Sequence, residues 1–203
     1  MILYGASGHG KVIIDILESI NEPVIEIWDD AEKEPVWEYP VKRSFHGGSD
    51  VNDKMIISIG LNATRKTVAE RLAGKAKFGS AVHAAAYISK RATMGEGTVV
   101  MGGVTVNPDV QIGKHCIINT NCCVDHDCVI GDYAHISPNA TLSGDVRVGE
   151  GTHIGSGASV IQGMRIGKWC TIGAGAVVIS DIPDYSTAVG NPARIIKVKE
   201  QEQ

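Results

Sequence analysis

Large aliphatic residues recur at every sixth position from Val82 to Val178: Val82, Ile88, Met94, Val100, Val106, Ile112, Ile118, Val124, Ile130, Ile136, Leu142, Val148, Ile154, Val160, Ile166, Ile172 and Val178. A period of six fits neither the 3.6-residue helix nor the two-residue alternation of an ordinary sheet. Short strands joined by tight turns do fit it, with the aliphatic side chain in a narrow interior and a small or β-branched residue two positions earlier filling the remaining space. Glycine follows the aliphatic residue at Gly95, Gly113, Gly131, Gly149, Gly155, Gly167 and Gly173, where it is expected to ease the turn. Cys116, Cys122, Cys128 and Cys170 each fall two positions before an aliphatic site, so they are read as core fillers rather than ligands.

Composition narrows the function classes. The chain of 203 residues is 43% hydrophobic and carries a net charge of -4 with no lysine or arginine run, which argues against nucleic acid as a partner. Its start, MILYGASGHG, lacks a basic segment followed by a long apolar one, and no apolar run is long enough to span a membrane. Five cysteines without a CxxC pair fit a reducing compartment, and a cytoplasmic location is expected.

Residues 1–80 lack the six-residue rhythm. A strand at Met1 to Tyr4, the turn GASGHG (Gly5 to Gly10), a helix over Lys11 to Ser19, a strand over Val24 to Trp28, a strand over Met55 to Ile59 and a helix over Ala63 to Leu72 predict a small Rossmann-like α/β unit. GASGHG is not the GxGxxG fingerprint, and no GxxxxGK[ST] follows, so NAD binding and ATP hydrolysis are disfavoured. Backbone N–H groups at a helix start, Ser7 and His9 in the loop, and Asp29 and Asp30 at the next strand end favour a phosphate or sugar-nucleotide site.

With GASGHG, a strand ending in DD, an IG leading into a helix, NTNCCVDHDCVIGDYAHIS and the terminal YSTAVGNPARII, the chain resembles the sugar O- and N-acyltransferases of bacterial glycan synthesis. The likeness is greatest to the acetyltransferases acting on nucleotide-linked 4-amino sugars. The resemblance implies an α/β front unit (1–80), a left-handed parallel β-helix with three hexads per triangular coil (81–182, between five and six coils), and a C-terminal extension (183–203). It also implies homotrimers, acetyl-CoA as donor in a groove between neighbouring β-helices, and a nucleotide-linked amino sugar, UDP-linked by expectation, held by the front unit. By the same resemblance His126 is the general base and Asp127 its following acid, where relatives usually have glutamate. His135 meets the acetyl-CoA, and Ser156 and Ala174 are turn positions approaching CoA. Ser7, Gly8, His9, Asp29, Asp30 and Gly60 contact the nucleotide sugar, although GLNATR, which begins at Gly60, departs from the asparagines common after that glycine.

The chemistry of the segment VDHDCVIG agrees. A neutral imidazole titrates near working pH and can take a proton from an attacking amine, and a neighbouring carboxylate can fix its tautomer and stabilise the imidazolium. Direct attack on the thioester then needs no acyl-enzyme. Asp125 is read as a solvated turn residue in a slot where many hexads have glycine. A coil of 18 residues predicts that His135 and His153 stack, that Ser156 and Ala174 stack, and that Gly144 lies over His126 and leaves room for substrate. No metal is expected, since His115, His126 and the stacked pair His135 and His153 are spread over different hexad phases. O-acetylation of a sialic-acid-like or other sugar hydroxyl is the alternative reaction, and a nucleotide-sugar-binding scaffold the non-enzymatic alternative.

Overall fold

The computed structural model describes residues 1–43 and 53–199. The front unit comprises β1 (Ile2–Tyr4), α1 (Gly8–Ser19), β2 (Glu26–Asp29), β3 (Val41–Arg43), β4 (Lys54–Ile57), α2 (Asn62–Leu72) and β5 (Lys77–Phe78). Its strands form one parallel sheet in the order β3-β2-β1-β4-β5. Strand order reverses at β1, so the loops leaving β1 and β4 flank the crevice where parallel sheets bind ligands. GASGHG occupies one side of that crevice and the turn through Gly60 the other.

Two strands and the start of α1 differ from the expectation. β3 and β5 are only three and two residues long and carry mostly exposed or half-buried side chains, so no hydrophobic alternation marks them. Helix α1 starts at Gly8, three residues earlier than predicted, which places Gly8 and His9 inside its first turn. Its Ile13, Ile14, Ile16 and Leu17 are all but fully buried. Burial of such side chains stabilises by about 1.5–3 kcal/mol each as an upper figure.

From Ala81 the chain winds through seventeen two-residue strands, β6 (Ala81–Val82) to β22 (Val177–Val178), which is five triangular turns and two further strands. Each strand pairs in parallel with the strand three later, so three flat faces form. The first face contains β6, β9 (Val99–Val100), β12 (Ile117–Ile118), β15 (His135–Ile136), β18 (His153–Ile154) and β21 (Thr171–Ile172). The second contains β13 (Cys123–Val124) and the third β14 (Val129–Ile130). The aliphatic ladder fills the interior together with the residues two positions before it, including Cys116, Cys122, Cys128 and Cys170, all at most 2% exposed. β23 (Ser186–Val189) extends the first face, and β24 (Arg194–Val198) folds back antiparallel on it with all five residues exposed.

The glycine expectation needs correcting. From Gly97 to Gly175 the third residue after each aliphatic position is left-handed, for example Asp109, His115, Asn121, Asp127 and Tyr133 with φ between 51 and 63°. The glycine directly after the aliphatic residue serves close approach instead: a Cβ on Gly149 would sit 2.5 Å from the Gly167 carbonyl carbon one coil on.

The front unit packs on the outside of the first face. Ala81, Val99, Met101 and Ile117 of the coil share one buried cluster with Leu3, Ile13, Ile14, Ile16 and Leu17. Tyr133, at the corner between the third and first faces, joins a second cluster with Tyr4, Val68 and Leu72.

Candidate active site

His126 stands at the corner between the second and third faces, in the turn from β13 to β14. Its Nδ1 lies 2.7 Å from Asp127 Oδ2, and both side chains are exposed. The hydrogen bond to Asp127, followed by the charge of Asp125, raises the imidazole pKa above its ordinary value. Asp127 holds φ 62°, a left-handed conformation in which aspartate and asparagine are enriched over longer side chains. This suits an aspartate at the corner.

Asp125 does more than face solvent. Its Oδ1 accepts from the His126 backbone N–H at 2.8 Å and from Asn107 Nδ2, one coil earlier, at 2.7 Å. These two bonds hold its carboxyl below the usual range and brace the corner that carries the base. Asn107 is a residue sequence reasoning missed, although it sits 18 positions before Asp125. Gly144 does lie over His126, but the space it leaves is filled by the imidazole itself: a Cβ there would be 2.6 Å from Cε1 and 2.8 Å from Nε2. The expectation that this room is left for substrate is therefore corrected.

The thiol two residues after His126 is not a competing nucleophile. Cys128 is fully buried, its Sγ donates to the Ser143 carbonyl, and burial pushes its thiol up to about 11.

His135 lies on the first face, under the front unit. Its ring stacks on that of His153 at 4.8 Å and 7°, as the 18-residue coil predicts. Nε2 is 3.0 Å from Asn119 Nδ2, and a backbone hydrogen bond joins the ring to Gly60. Burial, with the neighbouring His153 next, drives its pKa down to about 3, so the ring is neutral. His153 Nε2 is 2.7 Å from Ser137 Oγ and is likewise shifted down by burial. Nε2 of His135 thus has a partner within the chain, which a contact of that nitrogen with a thioester would have to replace. Ser156 and Ala174 are exposed at the corner between the first and second faces, stacked through a hydrogen bond from the Gly175 N–H to the Ser156 carbonyl.

In the front unit Ser7 precedes α1 without capping it through its side chain, and a Cβ on Gly8 would meet nothing within 4 Å, so the first turn is uncrowded on that side and its end N–H groups lack a side-chain cap. His9 is pushed down to about 4 by burial, and its Nε2 is buried without a partner. Asp29 is a structural clamp as well as a candidate ligand: its carboxylate accepts from the Ala6 N–H at 2.8 Å and the Ala31 N–H at 2.9 Å. Asp30 accepts from the Tyr4 hydroxyl and from Arg71 Nη2, the latter at 2.9 Å. Tyr4 and Arg71, which no sequence motif marked, therefore belong to this end of the crevice.

Ser7, Gly8, His9, Gly60 and His135 come together at the junction of the front unit with the first face. His126 does not join them, because its corner is the vertex opposite that face. A groove of about 510 Å³ along the third face, lined by Arg147, Arg165 and Asp181, contains none of the candidate residues. Among the described residues no group of three or more His, Cys, Asp or Glu side chains could hold a metal ion, and no helix is long and apolar enough to cross a membrane.

An α/β unit with a glycine-rich turn, mounted on a six-residue-repeat β-helix that displays a His–Asp pair, defines the class of hexapeptide-repeat acyltransferases. The PglD N-terminal domain family matches residues 1–72, and the bacterial transferase hexapeptide family matches residues 127–162 and 145–180. The acetyltransferase domain of PglB from Neisseria gonorrhoeae is 34% identical, with 96% of this chain and 98% of that one covered and a TM-score of 0.90. A mutant perosamine N-acetyltransferase from Caulobacter crescentus, solved with CoA and GDP-perosamine, is 34% identical over 97% of this chain and 96% of that chain, with a TM-score of 0.90. UDP-N-acetylbacillosamine N-acetyltransferase of Bacillus subtilis is 42% identical over 117 residues, 49% of this chain; the match spans about half the length of that relative, 50%. The chain belongs to this family of left-handed β-helix sugar N-acetyltransferases.

Proposed function

We propose that the protein transfers the acetyl group of acetyl-CoA to the 4-amino group of a nucleotide-linked sugar, with His126 as general base. The observation that carries this reading is the exposed His126–Asp127 pair on a scaffold shared with acetyltransferases of nucleotide amino sugars. Neutral His126 accepts a proton as the sugar amine attacks the thioester carbonyl. Asp127 holds the Nδ1 proton and stabilises the imidazolium, leaving Nε2 to face the amine. Collapse of the tetrahedral intermediate breaks the carbon–sulfur bond, forms the amide, and returns the proton to the departing CoA thiolate.

The crevice beyond β1 and β4 takes the nucleotide sugar, with the α1 N-terminus at Ser7, Gly8 and His9 suited to its diphosphate and Asp29, Asp30 and Gly60 around it. Ser156 and Ala174 flank the CoA chain, and His135 backs the pocket from the coil. Since His126 and this crevice lie on opposite sides of one β-helix, a homotrimer in which each base faces a neighbour's crevice completes the site. Light scattering should give three chains per particle, and a monomer with full activity would contradict the shared site.

Amine and hydroxyl acceptors are separated by product analysis. Given matched nucleotide sugars with a 4-amino or a 4-hydroxy group, NMR of the product should show an amide at nitrogen in the first and no ester in the second. An ester in preference to the amide would make O-acetylation the reaction.

A further inference from the structure

We propose that Arg65 is the positioning residue that sets the nucleotide-sugar crevice against the β-helix, and that its guanidinium fixes the turn at Gly60. The inference rests on the nucleotide-sugar role proposed for the crevice. Arg65 is 1% exposed, the largest of the fully buried side chains, yet no carboxylate pairs with it in the described structure. All five of its N–H donors are satisfied by neutral oxygens instead. Nε donates to the His115 carbonyl at 2.8 Å, and Nη1 to the carbonyls of Ile59 at 3.0 Å and Gly60 at 3.1 Å. Nη2 donates to Asn62 Oδ1 at 2.9 Å and to the Tyr133 carbonyl at 2.8 Å. Four segments meet on one planar group: the turn after β4, the start of α2, and the same corner on two successive coils.

Asn62 continues the clamp, its Nδ2 donating to the Gly151 carbonyl at 3.0 Å on the next coil. The Gly60 turn is thus pinned on one side by Arg65 and on the other by His135, whose ring shares a hydrogen bond with its backbone. A lysine at this position has three donors from one point and cannot serve five acceptors spread around a plane. A buried positive charge without a carboxylate also acts on the pocket above it. It bears on His9, His135 and His153, each of which it helps to keep neutral. The same field favours a diphosphate at the α1 N-terminus.

The test compares wild type, Arg65→Lys and Asn62→Ala in steady-state kinetics, with calorimetric titration of UDP and GDP as a readout independent of turnover. Arg65→Lys should raise KM for the nucleotide sugar and the Kd of the nucleotide diphosphate by about tenfold, with KM for acetyl-CoA and kcat within about threefold. Asn62→Ala should move the same two constants in the same direction by about threefold. If Arg65→Lys loses its β-sheet circular dichroism, Asn62→Ala decides. Variants that only lower the melting temperature, or that shift both KM values equally, would reduce Arg65 to a structural role and overturn the inference. Wild-type protein that binds neither UDP, GDP nor any nucleotide sugar would overturn the crevice assignment itself, a distinct result.

Discussion

At the scale of single residues, the proposed chemistry rests on a two-atom contact between His126 and Asp127. Because the carboxylate stabilises the imidazolium, the raised pKa means that the base form is lost earlier as pH falls. The acid limb of kcat/KM should therefore lie above the ordinary imidazole value. Asp127→Asn, which keeps a residue tolerant of the left-handed corner, should move that limb to lower pH and slow turnover. A limb unmoved in this variant would detach Asp127 from the base. The His126–Asp127 contact was legible from the flanking pattern, and the His135–His153 stack from a spacing of 18. Arg65 and Asn62 were not, because an arginine on a short amphipathic helix reads as surface until the coil beneath it is placed. Only the folded chain shows that the face of α2 carrying Arg65 has no solvent.

At the scale of elements, the six-residue repeat fixed where each side chain points but not why each glycine is there. Gly144 has an ordinary backbone conformation, so alanine is compatible with its φ, yet the added Cβ enters the space of the His126 ring. Gly144→Ala should leave the melting temperature near wild type and lower kcat by roughly tenfold, as expected for displacing a base by a fraction of an ångström. An unchanged kcat would show that the ring adjusts freely. The corners show the limits of pattern reading most clearly. A left-handed residue recurs at every sixth position, but Asp, Asn, His, Tyr, Trp and Gly all fill it, so the sequence displays no single letter there. The short strands β3 and β5 escaped notice for the opposite reason, since partly or fully exposed strands of two or three residues carry no pattern.

At the scale of the whole molecule, the junction of front unit and coil gathers buried neutral histidines. His9 and His135 titrate at about 4 and about 3, both lowered first by burial. An unfolded histidine binds its proton near pH 6.5, so folding stability is complete above that value and falls as pH drops toward the folded values. By pH 5 the loss should be on the order of 2 kcal/mol for each of the two. Urea unfolding followed at pH 7.5 and pH 5 should show a lower midpoint at the acid pH; equal midpoints would mean that these rings are hydrated. The architecture was legible nearly whole, because a repeat running from Val82 to Val178 leaves few alternatives. What the pattern could not supply was the separation of His126 from the crevice, which depends on which face of the coil the front unit covers.

The central claim is acetyl transfer with His126 as base. It is tested most directly by following thiol release from acetyl-CoA with a panel of UDP-, GDP- and CMP-linked 4-amino sugars, wild type beside His126→Ala. The account predicts turnover with at least one amino sugar, and a fall of about 10²- to 10⁴-fold in kcat for the variant with nucleotide-sugar binding nearly intact. Equal turnover by His126→Ala, or no thiol release from any bound nucleotide sugar, would contradict it.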